Sequence, residues 1–302
     1  MPYIPAAPPQ PVAIYSGFDY VVADSQRRRI YAAHTTSRTL LVVDADTGKV
    51  TGQVRVGPMH GIAIDPATGH VFTGNGTDRT VSEVDPGTLK VLRSASVDGA
   101  VDAIAFDPAT DHIYADEDEG THVYVVDAKA MKSIATIDIP GRKPEYLSVD
   151  PATGDVYQNI SYPGQIAVID PQTLTIKRII KTPELRVNHP LQYDSRRHRI
   201  LVAGTNGVLS LYDTSGKLLA SQTVQDGIDQ CSLDQVSGTI ACAGNELVTV
   251  LKETSNGPPV VVARMPVPMS VHTVGIDSKT GYVWIVWSQP DGDFVQPFKA
   301  SS

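Results

Sequence analysis

The chain has 302 residues, 41% hydrophobic and 19% charged, with a net charge of −8. This composition excludes a disordered chain or a coiled coil, and no run approaches the ~18 apolar residues that span a membrane. An acidic chain without a basic run is repelled by a phosphate backbone, so neither nucleic acid nor membrane is an expected partner.

The first residues, MPYIPAAPPQ, lack the basic and apolar regions of a signal peptide. The expectation is a cytoplasmic protein, or a periplasmic or secreted one if an export signal was removed. Residues 1–11 read as a flexible, Pro-rich arm, and 12–302 as one domain. From there a single pattern recurs. YVVADSQRRRIY, GIAIDPATGHVF, AIAFDPATDHIY, YLSVDPATGDVY, LQYDSRRHRIL, CSLDQVSGTIA and VGIDSKTGYVW each place an Asp and a turn between two β-rich runs. The anchoring residues are Asp24, Asp65, Asp107, Asp150, Asp194, Asp234 and Asp277, spaced 41, 42, 43, 44, 40 and 43 residues apart.

Each unit carries four strand-like runs. In the second these are HGIAI, HVFTG, TVSEV and KVLRSASV, joined by turns rich in Asp, Pro and Gly. No run holds the 3.6-residue apolar period of a helix. Four short antiparallel strands every 40–45 residues predict an all-β, seven-bladed β-propeller. The last unit supplies only three strands, so Val12–Ser16 is expected to complete the seventh blade and close the ring.

The repeat resembles the YVTN family of β-propellers, which includes YncE-like proteins. The residues that carry the likeness are Met59–Asp65 with Phe72–Asn75, Pro144–Asp150 with Tyr157–Asn159, and Ile166–Asp170, and the likeness extends over about residues 12–300. It implies the propeller fold and leaves activity open, because the family holds binding proteins and enzymes alike. There is no repeated tryptophan-docking motif and only two Trp, which departs from the quinone-cofactor propellers.

Repeat alignment allows equivalent positions to be compared. Five residues before each anchoring Asp stand Asp19, His60, Asp102, Glu145, His189, Asp229 and His272. All seven ionise, although such residues make up only about one in five of the chain. The position begins the innermost strand of each blade, so the seven should converge on one mouth of the central channel. Three residues before the Asp, Val21, Ile62, Ile104, Leu147, Leu191, Cys231 and Val274 read as core between blades, alternating with the ring.

The three histidines, on blades 2, 5 and 7, should stand ~154°, ~103° and ~103° apart around the axis. His60, His189 and His272 are therefore the candidate ligands of a divalent metal, with Zn, Fe or Cu favoured and Ca or Mg favoured if carboxylates dominate. Asp19, Asp102, Glu145 and Asp229 are the candidate catalytic acids and bases or supports of the histidines. His34, Tyr20, Tyr146 and Trp287 are candidate substrate contacts. A wet, polar channel without a ligand is the plain alternative.

Cys231 and Cys242 fall opposite one another on a hairpin, within disulfide range, and two buried thiols are equally compatible. Asn75-Gly76-Thr77 and Asn159-Ile160-Ser161 match the glycosylation pattern. No nucleophile elbow, P-loop or C-x-x-C is present. The expectation is a metal-dependent lyase, isomerase or hydrolase acting on a small organic molecule at the channel mouth. The rival is a non-catalytic propeller that binds a protein or peptide on one face.

Overall fold

In the computed structural model, residues 2–12, 16–255 and 257–301 are described. Among them there is no helix, and hence none long and apolar enough to cross a membrane. The strands form seven antiparallel sheets, six of four strands and one of five. The innermost strands are Val21–Asp24, Ile62–Ile64, Val101–Asp107, Arg142–Val149, Asn188–Asp194, Gln230–Asp234 and Val274–Asp277. The seven-bladed propeller expected from the spacing is the observed architecture.

Burial follows from the stacking of blades. In blades 1, 3 and 4 the third strand is apolar on both faces, at Leu40–Val43, Val123–Val126 and Ile166–Ile169, while blades 2, 5 and 6 bury Ser82 and Glu83, Ser210 and Thr249 there. The outermost strand alternates, since one face meets water; Val50–Arg55 and Lys132–Asp138 show this. All seven residues three before the anchoring Asp are buried, none more than 6% exposed.

The anchoring Asp has a mechanical role. Asp65, Asp107, Asp150 and Asp277 each accept the backbone N–H two residues on, at 2.8–3.2 Å, and the Thr hydroxyl three residues on, at 2.6–2.9 Å. This fixes the turn between the first two strands. A glycine in the left-handed region then reverses the chain, with φ of +79° at Gly69 and +77° at Gly154.

Closure of the ring differs from the expected strand. The outer edge of blade 7 is formed by Tyr3–Pro5 and Gln10–Pro11, both paired antiparallel with Gly292–Ala300. Within the stretch expected to be a flexible arm, Tyr3–Pro5 and Gln10–Pro11 are thus part of the sheet. Of Val12–Ser16, Val12 donates to the Asp293 carbonyl at 2.8 Å and Ser16 meets the Asp293 carboxylate; residues 13–15 lie outside the described residues. On an edge strand the outward N–H has no ladder partner, so Pro5 and Pro11 cost the sheet little.

Blades 1 and 7 are joined by packing of Val21, Ile30 and Leu41 against Trp284, Val286 and Val295. On the face carrying the Asp turns, Arg28 bridges to Asp277 at 2.8 Å. Burial works to raise the Asp277 carboxyl, but Arg28, Ser25 and Thr280 outweigh it and hold the pKa at about 2. A folded-state pKa below the ordinary value adds stability above about pH 4, which is lost as pH falls toward 2. Arg28→Met should therefore cost on the order of 1 kcal/mol at neutral pH, since Ser25 and Thr280 share the effect and solvent screens part of it. Urea midpoints measured from pH 7 to 2.5 should also show a flatter acid limb than the wild type. In blade 6 Cys231 and Cys242 sit directly opposite and form a disulfide.

Candidate functional site

The seven ring residues line one cavity of about 390 Å³ at a channel mouth. Two local devices bring them there. In blades 1, 2 and 6 the residue precedes or opens the innermost strand, and its N–H is held by the second strand in one register: Asp19 to Ala33, His60 to Gly74 and Asp229 to Ala243, at 2.9–3.0 Å. In blades 3, 4 and 5 the ladder shifts between residues 101 and 104, 144 and 147, and 188 and 191. On a regular strand residues two apart share a face, and ring and core positions would share that alignment. The bulges turn Asp102, Glu145 and His189 out of it, as bulges do where a side chain must be re-aimed.

Neighbouring inner strands also touch directly. Gly61 donates to the Asp102 carbonyl at 2.9 Å, and Gln230 to the His272 carbonyl at 3.2 Å. A Cβ at Gly61 would stand 2.6 Å from that Asp102 oxygen, so only glycine permits the approach.

Around the axis the order is Asp, His, Asp, Glu, His, Asp, His. Every imidazole thus has a carboxylate on both sides. His60 Nδ1 is hydrogen-bonded to Asp19 Oδ2 and lies 3.8 Å from Asp102 Oδ1. His189 Nε2 lies 3.1 Å from Glu145 Oε2 and 3.2 Å from Asp229 Oδ1. His272 Nδ1 donates to the Ser270 carbonyl at 2.9 Å.

This arrangement corrects the expected metal set. His60, His189 and His272 do not form one ligand group. Among the described residues, the group whose donor atoms all lie within 4.8 Å of one another is Asp19, His60 and Asp102. His60 and His189 turn to the carboxylates of adjacent blades, and His272 to a backbone carbonyl.

The electrostatics follow from crowding. Burial raises the Asp102 carboxyl well above the ordinary carboxylate range, with Asp19, Asp116 and Glu145 adding repulsion. Asp116, beneath it, is raised chiefly by burial, although it accepts hydrogen bonds from Ala103 N at 2.6 Å and Gln158 Nε2 at 3.0 Å. Burial also raises Glu145, against the pull of His189 and Lys143. At His60 burial disfavours charge, but Asp19, Asp118 and Glu145 outweigh it and raise the imidazole. The mouth is a pocket of carboxylates short of cations, a setting that favours a bound positive charge.

The other candidates separate. Tyr20 lines the cavity, and burial followed by Asp102 and Asp19 raises its phenol. Tyr146 packs against Tyr20 at 5.5 Å between ring centroids, and its hydroxyl accepts from Gln192 at 2.7 Å, below the mouth. Trp287 is buried against Phe294, and His34 is buried against Phe18 and Asp293. Neither Trp287 nor His34 lines the mouth cavity, which corrects their reading as substrate contacts. At His34 both Ser16 and Asp293 meet the same atom, Nε2, so these three residues are no hydrolase triad, which needs both ring nitrogens. Asn75 and Asn159 are buried and bonded within strand ends, so their glycosylation motifs are inaccessible.

Two site residues carried no repeat signal. Asp118 lines the cavity from a loop of blade 3. Lys143 lies 3.2 Å from Glu145 Oε1 and is also paired with Glu119. The positions equivalent to Lys143 in the other blades are Gly17, Pro58, Ala100, Val187, Gly227 and Ser270, so alignment of the units could not single it out.

No family model matches the chain, and no curated protein matches it in sequence. The YVTN resemblance therefore rests on the repeat residues themselves. Solved structures do match. One chain, described as Kuenenia stuttgartiensis hydrazine synthase, is 16% identical, with 93% of this chain and 95% of that one covered and a TM-score of 0.78. The likeness is one of fold: this chain is a seven-bladed β-propeller with a candidate Asp–His–Asp metal group at one mouth of its channel.

Proposed function

We propose that the chain is a metal-dependent enzyme, a lyase, isomerase or hydrolase, acting on a small organic molecule in the mouth cavity. The observation that carries this reading is that seven blades each deliver one ionisable side chain to a single cavity, three of them with donor atoms within 4.8 Å. Ligands of one cation at ~2.0–2.4 Å from the ion stand at most about 4.8 Å apart, so Asp19, His60 and Asp102 fit a divalent ion. One imidazole with two carboxylates suits Mn, Zn, Mg or Ca better than Cu, a shift from the preference that three histidines would give.

A bound cation would polarise a substrate oxygen or acidify a water. The protein's own groups then move the proton. Glu145, held between Lys143 and His189 with a raised pKa, is placed to donate and accept it. Asp229 orients His189 from the other side. Tyr20 gives the floor an apolar surface. The test is turnover of a panel of small lactones, esters and hydroxy acids before and after chelation. Activity should vanish with chelator and return with metal, and Glu145→Gln should lower kcat about 10²-fold with metal content unchanged. Metal binding without turnover would leave a binding protein and end the enzymatic reading.

A further inference from the structure

The channel has a second end, where apolar side chains of the inner strands meet the polar Asp turns. Immediately before each anchoring Asp stand Ala23, Ile64, Phe106, Val149, Tyr193, Leu233 and Ile276, apolar or aromatic in all seven units. Five of them line a cavity of about 500 Å³ on the face of the Asp turns. That volume lies within the range of small-molecule sites. A space of about 280 Å³ shares Ile64 and Phe106 with it and reaches inward to Tyr146. Tyr146 in turn packs against Tyr20, the floor of the carboxylate mouth. The tyrosine pair thus stands between an acidic compartment and an apolar one.

Several of the polar groups around this second mouth are engaged with one another. Asp24 accepts the Arg27 N–H, and the Arg27 guanidinium donates to the Pro66 and Ala67 carbonyls. Asp234 accepts from Val236 N and Ser237 Oγ. Gln235 accepts from Ser195 and donates to the Tyr193 carbonyl. Between these turn groups the wall is apolar, with Ile64, Phe106 and Leu233 only partly covered. Burial of such wall is favourable without any new polar contact.

We propose that this end of the channel binds a small, uncharged, predominantly apolar molecule, at a site separate from the acidic mouth. The proposal does not depend on metal chemistry. Its test is titration of the full chain with the neutral fluorophore N-phenyl-1-naphthylamine. One saturable site per chain is expected, unchanged by chelator or added Zn²⁺. Ala23→Trp, which fills the cavity, and Leu233→Asp, which charges its wall, should each weaken binding at least tenfold, with near-native circular dichroism. Met269→Asp, beside the acidic mouth, should leave binding as in the wild type. Absence of saturable binding, binding that survives both cavity variants, or binding lost in Met269→Asp would overturn the proposal.

Discussion

Replacing His34 by alanine is expected to destabilise the protein by about 3–5 kcal/mol, the usual cost of leaving a buried charge without its partner. His34 and Asp293 are hydrogen-bonded, and both side chains are fully buried. They lie 259 residues apart, His34 ending the second strand of blade 1 and Asp293 in the last strand of blade 7. The same carboxylate accepts the Ser16 N–H at 3.0 Å, and Ser16 Oγ bonds both His34 and Ser37. Removal of the imidazole would leave the Asp293 carboxylate with the Ser16 N–H alone, beside a hole bordered by Phe18 and Ser16. The change falls on the seam where the ring closes, so unfolding should also lose cooperativity. Urea denaturation followed by far-UV circular dichroism measures both effects. His70→Ala serves as the contrast: its imidazole is partly exposed and its partner Glu83 keeps Arg93, so a loss below about 1 kcal/mol is expected there. Equal losses in the two variants would show that the seam does not depend on this pair.

Replacing His60 by alanine, or Asp102 by asparagine, should weaken divalent metal binding by more than about a hundredfold, since even groups that merely orient a ligand contribute ten- to a hundredfold. Replacing His189 or His272 should change affinity by no more than about threefold. His189 is committed to Glu145 and Asp229, and His272 to a backbone carbonyl. Isothermal titration of the chelator-treated protein with Mn²⁺ and Zn²⁺ separates the two classes of variant. The expectation is opposite to that of a three-histidine site, in which His272→Ala would be as damaging as His60→Ala.

Much of this architecture could be read from the repeats. The anchoring Asp marks each unit because it fixes a turn by hydrogen bonds, and this requirement is local. The ring at Asp19, His60, Asp102, Glu145, His189, Asp229 and His272 was legible because seven equivalent positions can be compared with one another. What could not be read was pairing across units. Whether His60 turns to Asp19 or toward His272 depends on the width of the mouth and on bulges in blades 3, 4 and 5, which leave no mark in the spacing. Lys143 and Asp118 occur once each, so the comparison of units is blind to them. The edge strand Tyr3–Pro5 was hidden by its prolines, and the burial of His34 by a partner at the far end of the chain.

On the proposed function, Asp19, His60 and Asp102 from three adjacent blades would together hold a cation at the mouth. Anomalous diffraction from a crystal soaked in Mn²⁺ or Zn²⁺ tests it most directly. A single strong peak within coordination distance of Asp19, His60 and Asp102 is the predicted result. A peak on the channel axis shared by His60, His189 and His272, or an empty mouth at saturating metal, would contradict it.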